Sequence, residues 1–379
     1  MKSSLRLFRI AGIDIGIHYT WILIFVLLSW SLAQGFFPPR YPGWDTVTYW
    51  ITGLVAALLL FGSVLVHELA HSLVAQARGM TVRSITLFIF GGVSNLEDEP
   101  EKPKTEFVMS IVGPLSSLAL AGIFWGLLHI VGDQQSPVAA TLSYLALINA
   151  LLAGFNLLPG FPLDGGRVLR AILWNRTGNL VKATNIAATV GRFMGWGFIA
   201  FGLFQVFAGN FIGGIWFAFI GWFLSSLADA SRREVTLREQ LSGVQVKEVM
   251  ATNAMHISPD TSVAELVGNV FRKQHGRAVP VCENDKVVGI VTVTDVKELP
   301  QEKWAGTAVK EIMTSEPLYS VTPDDDLNTA LRFITKHDIN QVLVLRGNEC
   351  AGLVSRSDIL TYLQMSQELG LKQKAGPNV

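Results

Sequence analysis

The chain has 379 residues, of which 50% are hydrophobic and only 16% charged, where a soluble globular protein carries roughly 25% charged residues. Its length implies two or three structural units, and its composition excludes a disordered chain, a coiled coil and a single water-soluble enzyme. Thirty Lys and Arg balance thirty Asp and Glu, so no overall field draws it to nucleic acid. Two cysteines, Cys282 and Cys350, make no disulfide framework.

The charge is unevenly spread. Residues 1–240 carry 16 basic and 13 acidic groups, whereas the much shorter stretch 241–379 carries 14 and 17. This division predicts a polytopic α-helical membrane domain followed by a soluble one. A membrane-spanning helix needs about 20 mostly apolar residues. In chain order, spans are predicted over 17–33, 47–77, 107–131, 137–158, 193–208 and 211–227. The N-terminal segment resembles a signal-peptide n-region but lacks a small-residue cleavage site, so the first span is read as retained. Six spans place 15 Lys and Arg on one face and Arg40 alone on the other. The excess marks the cytoplasmic face. The expectation is a multi-pass protein of the cell membrane with both termini, the loops around Arg78 and Arg170, and the soluble tail in the cytoplasm.

The second span contains His67-Glu68-Leu69-Ala70-His71. Residues i and i+4 share a helix face, so the two histidines can hold one metal ion while Glu68 works on a water beside it. The alternative, three polar side chains buried in an apolar span for no purpose, would cost several kcal/mol. A catalytic zinc usually has three protein ligands and one open position. The third is sought in Asn156-Leu-Leu-Pro-Gly-Phe-Pro-Leu-Asp164-Gly-Gly-Arg167, where the prolines break the fourth helix at its cytoplasmic end. Broken backbone at membrane depth is tolerated only inside protein or beside a water-filled cavity. Asp164 there fits a ligand, or else caps the helix that follows. His67 lies 11 residues before Arg78, about 16 Å along the helix. The site is therefore inside the membrane and nearer the cytoplasm, the side on which Asp164 also lies.

These two segments resemble the signatures of the site-2 protease family of intramembrane zinc metalloproteases, and the resemblance covers about residues 10–230. It implies one zinc ion on His67, His71 and Asp164, with Glu68 as general base and acid. It also implies that Asn156 holds the substrate backbone or the oxyanion, and that the substrate is a transmembrane protein cut in regulated intramembrane proteolysis. Gly113-Pro114 looks like a further family element; Ser116 and Ser117 stand where some members have Asn, and no role is carried over there. The stretch 81–95 resembles the family's membrane-embedded hairpin, which either offers a sheet edge to an unwound substrate or is a plain structural hairpin. The acidic run Glu97-Asp98-Glu99-Pro-Glu101 is expected to be a solvated loop.

The soluble part repeats itself. Val246-Lys-Glu-Val-Met250 recurs as Val309-Lys-Glu-Ile-Met313, and Gly289-Ile-Val-Thr292-Val-Thr-Asp295 as Gly352-Leu-Val-Ser355-Arg-Ser-Asp358. An internal repeat of this length marks duplicated structural units, here read as strand, helix, strand, strand, helix, with strands at 279–282 and 286–291 and a helix at 263–274. The pattern resembles a tandem cystathionine-β-synthase (CBS) domain pair of α+β fold. The resemblance implies adenine nucleotide (ATP, ADP or AMP) at Thr292, Asp295, Ser355 and Asp358. Alternatively, the two aspartates merely cap helices and the pair serves homodimerisation. The expected organisation is 1–230 protease, 231–244 linker, 245–304 and 308–366 CBS domains, and 367–379 tail. Two rival functions stand beside the protease: a CBS-regulated transporter, which the lack of an internal repeat in the membrane half disfavours, and a catalytically inactive membrane scaffold.

Overall fold

A computed structural model describes residues 4–89, 91–96, 100–252, 255–272, 277–284, 286–347 and 349–370. Glu97, Asp98 and Glu99 of the acidic run, and most of the tail after 367, lie outside these. The chain divides into two compact units, Met1–Val235 and Thr236–Val379.

In the first unit, strands β1 (Ser4–Ile10) and β2 (Ile13–His18) precede helix α1 (Thr20–Ser31), which continues as a π-helix over Leu32–Phe36. Five helices are long and apolar enough to cross a membrane. They are α2 (Thr46–Ala77), α3 (Pro103–Leu128), α4 (Pro137–Asn156), α6 (Leu180–Phe207) and α7 (Phe211–Leu241). The first predicted span is the shorter apolar helix Thr20–Phe36, because Ile13–His18 pair as a strand instead of extending it. Helix α5 (Asp164–Thr177) follows the broken end of α4. The fifth predicted span is only the later part of α6, whose first turns carry Lys182 and Arg192. Large apolar side chains on α6 and α7, among them Trp196, Phe204, Phe207, Trp216 and Trp222, are exposed, as lipid-facing helices require.

Two more strands, β3 (Val82–Phe88) and β4 (Gly91–Leu96), complete a sheet of order β1-β2-β3-β4. β2 and β3 are parallel, with Asp14 opposite Ser84 and Ile17 opposite Leu87, and the outer pairs are antiparallel. Alternation turns Ile13 and Ile15 of β2, and Ile85 and Leu87 of β3, inward, and the register shift between Val82 and Ser84 brings Val82 to the same face; Ile13, Ile15, Val82 and Ile85 pack on Ala75 of α2 and Met109 of α3. This seats the sheet on the end of α2 that carries the histidines, with β4 at an edge.

The second unit contains both repeats. β5 (Ala278–Glu283) and β6 (Lys286–Thr292) form the first hairpin; β7 (Ser320–Val321), β8 (Gln341–Arg346) and β9 (Glu349–Ser355) form the second sheet. The repeats exchange their leading segments. The Val246 and Lys247 amides donate to Asp325 and Pro323, and those of Val309 and Lys310 donate to Thr261 and Pro259. Val246 is buried with Leu327, Val344 and Ile359 of the second repeat; Val309 is buried with Leu266, Val281 and Val291 of the first. Two exposed ion pairs mirror the exchange, Lys247–Asp324 at 2.8 Å and Lys310–Asp260 at 2.7 Å. These hold Asp324 below and Lys310 above their ordinary pKa values. Solvent-screened pairs contribute little, so the exchanged amides and the two shared cores are what tie the repeats together.

Candidate metal centre

Helix α2 presents His67 and His71 one turn apart on the same buried face, and α5 brings up Asp164 as its first residue. His67 Nε2 lies 3.1 Å from Asp164 Oδ2, His71 Nε2 lies 3.2 Å from the same oxygen, and the two Nε2 atoms are 3.2 Å apart. Two ligands each about 2.1 Å from a tetrahedral zinc stand about 3.4 Å apart, so this triangle has nearly the edge a zinc ion needs.

The donor set points the same way. His71 Nδ1 is 2.6 Å from the Met109 carbonyl, which can only accept, so Nδ1 carries the proton and neutral His71 turns a bare lone pair on Nε2 inward. His67 Nδ1 lies 2.9 Å from Ser117 Oγ, a hydroxyl that can accept its proton and so leave the Nε2 lone pair to face an ion. Two imidazole nitrogens and a carboxylate oxygen thus converge on one point, a donor set suited to a zinc ion. The capping alternative for Asp164 does not describe the structure: Leu163 is the N-cap of α5 and makes no side-chain cap bond.

The room for an ion is made by Gly113 of α3, where a β-carbon would collide with His71 Nε2 and come within 2.8 Å of His67 Nε2. Glu68 points to β4: Ser94 Oγ donates to its Oε2 at 3.4 Å and also meets Ser72 Oγ at 2.9 Å. A β-carbon on Gly92 would strike Glu68 Cγ, so the edge strand runs directly over this carboxylate. Asn156 ends α4, half-buried.

Sequence reasoning left Ser117 without a role, yet it orients His67. Its signal was the spacing from Gly113, four residues on the same face of α3. Such outer partners typically change metal affinity by about 10–100-fold. Ser117→Ala should therefore weaken zinc binding about tenfold in a chelator competition while leaving the thermal melt of the metal-free chain unchanged. An unchanged affinity would reduce Ser117 to packing.

The other predicted residues, in the second unit, are tied up locally. Thr292 and Ser355 cap the helices Val293–Lys297 and Arg356–Glu368. Asp295 Oδ2 accepts from the Thr292 amide at 2.7 Å and from its hydroxyl at 2.8 Å; Asp358 Oδ2 accepts from Ser355 at 2.8 and 2.6 Å. The capping boxes occur in both repeats, at the ends of β6 and β9.

A His-Glu-x-x-His helix facing a carboxylate inside a bundle of membrane-length helices is the architecture of intramembrane metalloproteases. The family model for peptidase family M50 matches residues 55–136 and 126–198, and that for the CBS domain matches 246–302 and 309–365. Rip3 of Mycobacterium tuberculosis, named for zinc metalloprotease function, is 36% identical over 96% of this chain and 94% of its own. Zinc metalloprotease MJ0392 of Methanocaldococcus jannaschii is 32% identical over 97% and 99%. The solved structure of a site-2 protease from that archaeon is 32% identical, covering 61% of this chain and 95% of its own at a TM-score of 0.42. The chain belongs to peptidase family M50, the site-2 proteases, and carries a tandem CBS pair.

Proposed function

We propose that the protein is an intramembrane zinc endopeptidase that cuts a transmembrane protein near the cytoplasmic side of the membrane. The observation that carries this reading is the convergence of His67 Nε2, His71 Nε2 and Asp164 Oδ2 next to Glu68. Zinc held by these three residues supplies a Lewis acid that polarises a carbonyl and makes water a better nucleophile near neutral pH. Glu68 takes the proton of the attacking water and returns it to the leaving amide nitrogen. Ser94 holds the Glu68 carboxylate, and Asn156 binds the substrate backbone. A helical substrate must unwind for its amides to be attacked, and the free edge of β4 offers the released strand hydrogen-bonding partners directly above Glu68. The concentration of Lys and Arg on one face orients the site toward the cytoplasm.

The reconstituted protein should cleave a model transmembrane substrate, with the scissile bond mapped by mass spectrometry to its cytoplasmic half. A zinc chelator should abolish the cut and added zinc should restore it. Cleavage indifferent to chelation overturns the metal mechanism, and a cut in the opposite half overturns the orientation.

The CBS pair is read as a regulatory module that binds adenine nucleotide. Support comes from the repeated Ser/Thr-x-x-Asp segments at two helix N-termini, where hydroxyls and amides favour phosphate and the second carboxylate oxygen can bond ribose. Any effect on cleavage is limited by the nucleotide's differential affinity for the two states of the enzyme. AMP or ATP should bind the full chain in calorimetry. Asp295→Ala with Asp358→Ala should weaken that binding at least tenfold and remove any nucleotide dependence of cleavage while basal activity persists. Lack of binding at millimolar nucleotide would leave the pair a dimerisation module.

A further inference from the structure

The charged pair Glu106–Arg170 stands out in a part of the chain that is otherwise apolar. Glu106, in the first turn of α3, is 1% exposed and Arg170, on α5, is 8% exposed. Arg170 Nε donates to Glu106 Oε1 at 2.6 Å, and Nη2 of the same guanidinium pairs with the same oxygen. The guanidinium carbon also lies 5.1 Å from the ring centroid of Phe161, a buried residue of the loop that leads into Asp164. One side chain therefore ties together α3, α5 and the loop between α4 and α5.

The placement of this tie relates it to the metal centre. Glu106 lies two turns before Gly113, and Arg170 lies just under two turns after Asp164, about 10 Å along each helix. α3 and α5 pack against each other and are joined at two levels, once where Gly113, His71 and Asp164 meet and once at Glu106–Arg170. Glu106, Met109, Gly113 and Ser117 recur at helical spacing on α3. Three of them touch or admit the histidines; the fourth holds the helix that carries the carboxylate. Asp164 meets the two histidines through Oδ2 from the first residue of α5, so its reach depends on where α5 sits along α3.

Stability alone is a poor reason for the pair. Buried ion pairs are often replaceable by apolar side chains with no loss of stability, because desolvation offsets the attraction. What the guanidinium does provide is a fixed register, since its rigid, planar donors, two of them directed at the one oxygen Glu106 Oε1, meet it in only a few geometries. We propose that Glu106 and Arg170 are positioning residues that set the register of α5 on α3 and thereby hold Asp164 at ligand distance from His67 and His71. This rests on the reading of those three residues as a zinc site.

The test separates register from stability. Glu106→Leu with Arg170→Met, made in the full chain, should leave the thermal melt of the metal-free protein near wild type. It should weaken zinc at least tenfold in chelator competition and alter the visible spectrum of the cobalt-substituted protein. Arg170→Lys, which keeps charge and stem but loses the planar donors, should weaken zinc several-fold, and it decides the matter if the double variant fails to fold. Wild-type zinc affinity and an unchanged cobalt spectrum in a folded double variant, or in Arg170→Lys, overturn the positioning role while leaving the metal site standing. A wild-type chain that binds no zinc overturns both.

Discussion

Glu68→Gln should abolish cleavage of a transmembrane substrate, by at least about a thousandfold, while zinc content per chain stays at the wild-type level. The amide is nearly isosteric and can still accept from Ser94 Oγ, which now meets Glu68 Oε2 at 3.4 Å, so the hairpin above it keeps its seat. The two histidines and Asp164, which form the donor triangle, are untouched. What the substitution removes is the ability to take and return a proton. General acid–base groups contribute typically 10²–10⁴-fold, and Glu68 is asked to act twice in one turnover. Quantifying product from purified protein in vesicles, alongside metal analysis of the same sample, checks both halves. Residual cleavage within a few-fold of wild type would remove Glu68 from the mechanism, and loss of zinc would mean the variant had damaged the site itself.

Gly113→Leu should eliminate zinc binding, and with it activity, in a chain that still inserts and folds. A β-carbon at this position already collides with His71 Nε2 and approaches His67 Nε2 to 2.8 Å, and the rest of the leucine side chain would occupy the point where the three ligand atoms converge. Because α3 is otherwise a good apolar helix of 26 residues, one more leucine suits the membrane. The matched control is Gly122→Leu on the same helix, where nothing lies within 4 Å of an added β-carbon. The expected result is loss of measurable zinc for Gly113→Leu and wild-type zinc for Gly122→Leu, with the two variants eluting alike in gel filtration. Stoichiometric zinc in Gly113→Leu would mean that the histidines have another way to hold the ion.

Much of this protein is written in local patterns. Apolar runs long enough to cross a bilayer mark α2, α3 and α4 because hydrocarbon thickness sets helix length directly. His67, Glu68 and His71 are legible because helical spacing alone puts the two histidines on one face. The duplicated Val-Lys-Glu and Ser/Thr-x-x-Asp segments announce two similar units, each with its own capping box. The β-alternation of 81–95 marks a hairpin. Ile17, by contrast, opens the first predicted span, whereas in the structure it belongs to β2 and pairs with Leu87. A strand is decided by its partner, and here the partner lies about seventy residues away.

The same reason accounts for what only the tertiary structure decides. That Val246 completes the core of the second repeat and Val309 that of the first follows from a chain exchange that no run of residues encodes. Met109 matters through its carbonyl, which accepts from His71, and any residue type would offer one. Gly113 reads as an ordinary membrane-helix glycine until two imidazoles are brought against it. Glu106 and Arg170, 64 residues apart, become a buried pair only when α5 lies along α3. Spacing along a helix determines which side chains can share a face; which faces meet is determined by packing many helices at once, and it is there that two histidines and an aspartate become one site.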